Sequence, residues 1–267
     1  MVKTFKLGIE PLDMALPSGL PYSSLSVVAG PGGVGKSVML AHIAWNFLKS
    51  GGSVVYVNFD DSSEAVLSLF RDFNWDIDGY VDKGAFQIID CFSFRLGPFK
   101  KPVKGVVRDL EVRDLNSLMY AINDVVSKSK TNTLVILDSI NEFMFKFEVT
   151  QVLDFIKTLR AVVAKGLGAI VLVTVHVTTE DLQALVQHLE YLVDGVIELR
   201  LQPSLLEIGI PVKELLVKKM RSVSTNPIWI PYVISDSGIS SVDMEKLVKF
   251  IKAKVAEAET LKKLISG

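Results

Sequence analysis

A short glycine-rich segment near the N-terminus carries one lysine and one hydroxyl group at a spacing that suits phosphate binding. The pattern G-x-x-x-x-G-K-[ST] is matched by Gly30, Pro31, Gly32, Gly33, Val34, Gly35, Lys36 and Ser37. In such a loop, glycines let successive backbone N–H groups surround phosphate oxygens, the lysine reaches the β- and γ-phosphates, and the hydroxyl binds Mg²⁺. The segment predicts a site for ATP and Mg²⁺, with Val38 as a further contact in the following helix.

Two other apolar runs end in acidic residues. Asp138 follows four apolar residues, and we expect it to position Mg²⁺ mostly through water. Asp60 and Asp61 end the run 54–61, and paired carboxylates raise each other's pKa so that one can accept a proton. Asp60 is the first candidate for the group that orients or deprotonates the attacking water, and Asp61 is the second. The alternative for these acids is to cap the turn or helix that follows.

The apolar runs themselves predict a parallel sheet. Their apolar, often β-branched residues are nearly continuous, as is typical of parallel strands covered on both faces. Helix-period segments separate them, so we expect βαβ units in an α/β fold with helices on both faces of the sheet. The predicted strands are 25–29, 53–59, 86–89, 133–138 and 169–175. After Asp194, shorter strands at 195–201, 214–220 and 228–235 predict an antiparallel extension.

The composition is that of an ordinary globular protein. Of 267 residues, 49% are hydrophobic and 22% are charged, which excludes a disordered or low-complexity chain. The single cysteine, Cys91, excludes an internal disulfide framework. Residues 1–7 lack the apolar run of a secretory signal, and the longest apolar stretch, 169–177, is far shorter than the ~20 residues that span a bilayer. We expect a cytoplasmic protein without membrane contact.

Two segments differ from the rest of the predicted core, which covers residues 1–240. Residues 92–113 form a basic insertion that holds Phe92, Phe94 and Phe99, and cations interleaved with aromatic rings suit single-stranded DNA. The alternative is that Phe92 and Phe94 point into the core while the cations are solvated. The basic residues are Arg95, Lys100, Lys101, Lys104, Arg108 and Arg113.

Residues 241–267 predict a final amphipathic helix. Its apolar stripe can dock a partner or pack on the protein's own core, and packing is the commoner arrangement. The stripe consists of Leu247, Phe250, Ile251, Val255, Leu261, Leu264 and Ile265.

Taken in order, these motifs resemble the RecA-like P-loop ATPases of the KaiC and RadA group over about residues 5–240. The resemblance also rests on a lead-in at 8–21, on the segment 194–199 and on Lys219-Met220-Arg221. It implies a RecA-like core and ATP bound between subunits of a ring or filament. It further implies that Lys219 and Arg221 reach the γ-phosphate of the neighbouring subunit, where two cations would neutralise developing charge. The alternative for both residues is a solvated strand edge.

The sequence departs from the group's pattern at three positions. Asp60 stands where a glutamate is usual, and since aspartate is one methylene shorter we expect slow hydrolysis. Ser23 and Ser222 stand where the group has glycine. The group also places a polar residue that senses the γ-phosphate after the strand that ends near 173, and Thr174 and His176 are the candidates here.

Three functions are compatible with these features. The first is an accessory ATPase in DNA recombination or repair, similar to a RadA paralogue, with single-stranded DNA and a recombinase or another protein as partners. The second is a KaiC-like regulatory ATPase that switches protein partners with its nucleotide state. The third is a nucleotide-binding scaffold with little turnover. We expect a homo-oligomer in each case.

Overall fold

A computed structural model describes residues 2–265, and side chains as far as Ala256. Its strands are β1 (Thr4–Phe5), β2 (Leu20–Pro21), β3 (Ser24–Gly30), β4 (Ser53–Asn58), β5 (Phe86–Asp90), β6 (Val106–Asp109), β7 (Thr133–Asp138), β8 (Ile170–His176), β9 (Gly195–Leu201), β10 (Lys213–Met220), β11 (Ile230–Ser235) and β12 (Gly238–Ser241). Its α-helices are α1 (Glu10–Ala15), α2 (Lys36–Lys49), α3 (Ser63–Asp72), α4 (Asp78–Asp82), α5 (Leu115–Ser127), α6 (Phe143–Lys146), α7 (Val149–Leu159), α8 (Glu180–Leu192), α9 (Pro203–Leu206) and α10 (Met244–Ile265). Short 3₁₀ turns span Ser93–Phe99 and Ile140–Glu142, and α7 continues as a π-helical turn over Arg160–Gly166.

Ten strands form one sheet in the order β12-β11-β10-β9-β3-β8-β7-β4-β5-β6. From β9 to β6 all neighbours are parallel, and β3, β7 and β8 are almost entirely buried because helices cover both faces. The carboxyl ends of β3, β4, β7 and β8 therefore meet at one edge, where open α/β sheets bind their ligands. The predicted α/β class, with a mostly parallel sheet, is confirmed.

The antiparallel extension begins one strand later than the sequence suggested. β9 runs parallel to β3, with Ser26 opposite Gly195, and only β10 turns back against it. The reason is that α8 connects β8 to β9 as a crossover helix, which makes this pair another βαβ unit. β11 and β12 then form a hairpin at the end of the sheet.

The two faces of the sheet hold separate cores. One face packs on α2 through residues such as Met39, Ile43 and Phe47. The other packs on α5 and α7 through residues such as Ile122, Val152 and Ile156. The strand with the phosphate-binding segment is thus fixed from both sides, and the loop after it is held by a rigid scaffold.

The basic segment 92–113 is largely neutralised by the protein itself. It contains edge strand β6, and most of its cations pair with nearby acids. Arg95 also lies over the half-buried rings of Phe92 and Phe94, whereas Phe99 is 82% exposed. The pairs are Arg95–Glu142, Lys100–Asp109, Lys104–Asp82, Arg108–Asp124 and Arg113–Glu111.

Helix α10 leaves much of its apolar stripe in solvent. Phe250 is 51% exposed and Val255 is 39% exposed, while Leu247 and Ile251 are half-buried. The side chains of Leu261, Leu264 and Ile265 lie outside the described residues. Packing on the protein's own core therefore does not account for Phe250. No helix in the described chain is both long and apolar enough to cross a bilayer.

Ser23 and Ser222 have left-handed backbone conformations. These are the two positions where the resemblance predicts glycine. Their φ angles are +56° and +71°. Residues with a Cβ adopt this region at a steric cost that glycine does not have. The backbone thus keeps the shape that a glycine would allow, although a serine occupies each position.

Candidate nucleotide site

The glycine-rich segment forms a loop between β3 and α2, at the ligand-binding edge of the sheet. Gly35 has φ +95°, and a Cβ there would lie 2.5 Å from Cδ1 of Ile234. A Cβ on Gly30 would lie 2.4 Å from the carbonyl oxygen of Leu199, whereas Gly32 and Gly33 face open space. The loop is therefore packed against the protein on one side and open on the other. This is the shape expected of a phosphate cradle at a helix N-terminus.

Lys36 is folded back onto this loop and is only 3% exposed. Its Nζ donates to the carbonyl oxygens of Gly30 at 2.8 Å and Pro31 at 2.7 Å. Burial lowers the pKa of Lys36 to about 8, although the charges of Asp138 and Asp60 act in the opposite direction. Of the remaining loop residues, Pro31 is exposed, Val34 is buried, and Ser37 and Val38 are half-buried in the first turn of α2.

Asp138 ends β7 and is 8% exposed. Both of its carboxylate oxygens accept hydrogen bonds from hydroxyl groups: Oδ2 from Tyr56 at 2.7 Å and Oδ1 from Thr174 at 2.6 Å. Burial, reinforced by the negative charge of Asp138, raises the pKa of Tyr56, which keeps this hydroxyl a donor. Thr174 is fully buried, so any response of this residue to a phosphate would pass through Asp138.

Asp60 lies just beyond the end of β4 and is more exposed than Asp138. Its Oδ2 lies 3.5 Å from Nε2 of His176, and it also accepts hydrogen bonds from Ser139. Burial alone would raise the pKa of Asp60, but the hydrogen bonds from His176 and Ser139 bring the pKa below its ordinary value. The backbone of His176 is fixed by Asn141, whose amide exchanges hydrogen bonds of 2.8 and 2.7 Å with its C=O and N–H groups.

Asp61 makes its hydrogen bonds within the turn before α3. Its Oδ1 accepts from the backbone N–H of Ser62 at 2.6 Å, and its carbonyl oxygen accepts from Asn58 Nδ2 at 2.6 Å. The N-cap of α3 is Ser62, which accepts from the N–H of Ala65 at 3.2 Å. Asp60 is thus not the helix cap, and its carboxylate is available to the site.

These side chains surround a cavity of about 300 Å³ that opens beside the loop. Asn58 is 2% exposed and lines it, and the Asn58 Oδ1 atom is buried without a hydrogen-bond partner among the described residues. An unsatisfied oxygen next to two carboxylates and the Ser37 hydroxyl is a hard donor set of the kind that Mg²⁺ prefers. The residues present therefore fit a magnesium nucleotide.

Lys219 and Arg221 lie at the opposite edge of the sheet. Met220, between them, pairs with Gly195 at the beginning of β9, whereas the phosphate loop follows the end of β3. Lys219 Nζ donates to the carbonyl oxygens of Glu190 and Val193, and Arg221 donates to that of Tyr191. From this edge neither cation reaches the glycine-rich loop of the same chain.

Sequence reasoning missed four residues that shape the site: Tyr56, Asn58, Ser139 and Asn141. A signal existed for the first two. Tyr56 and Asn58 are polar residues two positions apart in the otherwise apolar strand β4, and Asn58 is in register with Asp138 on β7. Residues two apart share one face of a strand, so both pointed toward the acid.

Comparisons with known proteins agree with this geometry. The sequence matches the family described as "ATPase: KaiC" over residues 5–246. A UPF0273 protein of Thermotoga maritima is 29% identical over 90% of this chain and 96% of its own length. A UPF0273 protein of Pyrococcus horikoshii is 30% identical over 96% of this chain and 100% of its own. The crystal structure of a KaiC-like protein from Pyrococcus horikoshii OT3 has the same fold, with a TM-score of 0.70 at 19% identity, covering 91% of this chain and 100% of that one. The phosphate loop, the acids at the neighbouring strand ends and the match over nearly the whole chain lead to one assignment: this protein belongs to the KaiC family of ATPases.

Proposed function

We propose that the protein binds ATP with Mg²⁺ and hydrolyses it slowly. The observation that carries the proposal is the convergence of Ser37, Asp60 and Asp138 on one cavity beside an open glycine loop. A phosphate group that enters the loop would displace the carbonyl oxygens of Gly30 and Pro31 from Lys36. Bound Mg²⁺, held by Ser37 and through water by Asp138, would neutralise phosphate charge.

Asp60 is the proposed acceptor of the proton from the attacking water. Both Asp60 and Asp61 line the cavity, but an oxygen of the Asp61 carboxylate accepts a hydrogen bond from the backbone N–H of Ser62 in the turn before α3. The hydrogen bonds from His176 and Ser139 lower the pKa of Asp60 and thus weaken it as a base. Together with the missing methylene relative to glutamate, this supports slow turnover.

The position of Lys219 and Arg221 supports a site shared between subunits. Because these cations lie at the sheet edge remote from their own phosphate loop, they complete a site only when a second copy brings its loop to them. A head-to-tail ring or filament provides this contact at every interface. We therefore propose a homo-oligomer.

A regulatory ATPase that switches protein partners is the first candidate role, because the surface disfavours the DNA-binding alternative. The cations that suggested DNA binding are engaged in ion pairs: Arg95, Lys100, Lys104, Arg108 and Arg113 each have an acidic partner. Phosphate binding by these residues would have to compete with those acids.

An accessory role in DNA recombination or repair is the second candidate. The observation that favours it is Phe99, which is 82% exposed beside Lys100 and Lys101 and is free to stack on a base. Charge reversal at Lys100, Lys101 and Lys104 would then weaken the binding of single-stranded DNA and reduce its dependence on salt. Unchanged affinity would eliminate this role.

The direct test is steady-state ATP hydrolysis with and without Mg²⁺ and single-stranded DNA. We expect low Mg²⁺-dependent turnover that DNA does not change, with none above background in Lys36→Ala. Asp60→Asn should lower kcat by about 100-fold or more with ATP affinity retained, whereas Asp61→Asn should change kcat little. Wild-type turnover equal to that of Lys36→Ala would establish the scaffold instead, and stimulation by DNA would favour the repair role.

A further inference from the structure

The acids of the nucleotide site stand beside a histidine that phosphate chemistry does not require. One ligand atom each from Asp60, Asp138 and His176 lies within 4.8 Å of the others. The three residues end β4, β7 and β8 or follow them directly, and these strands are consecutive neighbours in the sheet. Their relative positions are therefore set by the sheet and not by a mobile loop.

The distances approach those of a metal site. In tetrahedral zinc coordination the ligands are ~2.0–2.1 Å from the metal and so roughly 3.3 Å apart. Nε2 of His176 and Oδ2 of Asp60 are already 3.5 Å apart. The ligand atom of Asp138 lies within 4.8 Å of the other two, so it has to approach by at most roughly 1.5 Å, which small rotations of these short side chains can achieve. Two hydrogen bonds from the Asn141 side chain fix the backbone of His176, which lines the cavity.

A second, independent observation is the unsatisfied oxygen of Asn58. This side chain is 2% exposed and lines the same cavity, and its Oδ1 atom has no hydrogen-bond donor among the described residues. A buried acceptor without a donor is costly, and a cation is one way to satisfy it. Two carboxylates supply the charge that balances a divalent ion, and the imidazole nitrogen of His176 favours a transition metal over Mg²⁺.

We propose that Asp60, Asp138 and His176, with Asn58 Oδ1, form a binding site for a divalent transition-metal ion of the Zn²⁺ or Co²⁺ type. Imidazole nitrogen suits such ions, whereas Mg²⁺ prefers oxygen ligands and retains its water. The ion would bind without nucleotide, so the proposal does not depend on the proposed ATPase activity. Because it would occupy Asp60, it would also inhibit any hydrolysis that uses this carboxylate.

The test is metal binding to the full-length, nucleotide-free protein. Zn²⁺ binding is measured by calorimetry, and Co²⁺ binding by visible absorption. Millimolar Mg²⁺ is present in both experiments to saturate sites that prefer ions with oxygen ligands. His176→Gln removes the imidazole, and the exposed His188→Gln is the matched control. Asp60→Asn is the second variant, and the thermal midpoint of each metal-free variant establishes that it is folded.

We expect one Zn²⁺ per chain for the wild type and His188→Gln, and at least about tenfold weaker binding for His176→Gln and Asp60→Asn. Co²⁺ should give the strong visible bands of a low-coordinate site in the wild type and not in His176→Gln. Equal affinity of the two histidine variants, or complete displacement of Zn²⁺ by Mg²⁺, would overturn the proposal. Either result would leave the proposed Mg²⁺-dependent ATPase unaffected.

Discussion

Asp138 is the most constrained residue of the candidate site. Both of its oxygens accept hydroxyl hydrogen bonds in a place where water has little access, because Tyr56 and Thr174 are buried on either side. The two hydrogen bonds hold this carboxylate at the wall of the cavity. It can therefore hold a water or a cation in the cavity.

The hydroxyl of Tyr56 should contribute measurably to stability. In Tyr56→Phe the buried Oδ2 of Asp138 loses its only donor among the described residues, which costs about 1–3 kcal/mol for a charged acceptor. We expect this loss in the free energy of unfolding measured by urea denaturation. Tyr120→Phe is the matched control, since Tyr120 is 72% exposed. Equal stability of the two variants would show that the Tyr56 hydrogen bond is dispensable.

His42 should make the fold sensitive to acid. Burial, assisted by the charge of Lys49, lowers the pKa of His42 to about 4, and Nδ1 accepts the backbone N–H of Ile239 at 3.2 Å. Between the ordinary histidine pKa of ~6.5 and this value, the unfolded chain binds a proton that the folded chain does not. Stability contributed by neutral His42 is therefore complete above pH ~6.5 and decreases as the pH falls toward 4.

The measurement is the urea midpoint at pH 7 and pH 4.5. The wild type and His188→Gln should lose more stability between these values than His42→Gln, which has no imidazole to protonate. If all three proteins lose the same amount, His42 is not the group responsible.

At the scale of elements, the connections before β3 and after β10 carry strain that the sequence partly indicated. Ser23 precedes β3 and Ser222 follows β10, and both have positive φ angles. In the sequence, both positions depart from the glycine pattern of the family that the chain resembles. A serine at a position where glycine is expected thus indicated a positive φ angle, which serine rarely adopts.

Replacing Ser222 with glycine should stabilise the protein. The left-handed conformation costs a non-glycine residue about 1–2 kcal/mol, and the greater freedom of glycine in the unfolded chain offsets about half of this. We expect Ser222→Gly to gain about 0.5–1 kcal/mol in the free energy of unfolding. Ser68→Gly, inside helix α3, should destabilise the protein, because glycine there only adds flexibility. A destabilised Ser222→Gly would contradict the strain argument.

Sequence patterns predicted the central strands and the phosphate loop because these depend on local chemistry. Parallel strands must be apolar on both faces, and a phosphate cradle needs glycine, lysine and a hydroxyl at fixed spacing. What the patterns could not give were partners chosen by the tertiary fold. Nothing local to Arg108 indicates Asp124. The polar residues of β4 indicate a shared face but not that the Tyr56 hydroxyl donates to Asp138, and the orientation of β9 was decided by the crossover helix before it.

At the scale of the whole molecule, the glycine loop with Lys36 and the cations proposed to act on a neighbour's phosphate lie on opposite edges of the sheet. Lys36 is at one edge and Arg221 at the other, so each subunit can give a loop to one neighbour and cations to the other. If the active unit is a head-to-tail assembly, Lys36→Ala and Arg221→Ala should each abolish hydrolysis when pure. Mixed subunits should regain activity at interfaces that combine an intact Lys36 with an intact Arg221, which is roughly a quarter of them. ATPase assays of equimolar co-assembled variants measure this recovery, and its absence would contradict a shared site.

The contacts of Lys219 and Arg221 couple this edge to a helix. Both cations cover the last carbonyl oxygens of α8, a position where positive charge stabilises a helix end. The other end of α8 begins four residues after His176, beside the subunit's own acids. A phosphate in the adjoining subunit that attracted the two cations would remove their hydrogen bonds from the C-terminal end of α8. The N-terminal end of the same helix lies beside the nucleotide site of its own subunit. Neighbouring sites would then respond to one another, and the rate of hydrolysis would rise with ATP concentration along a sigmoidal curve.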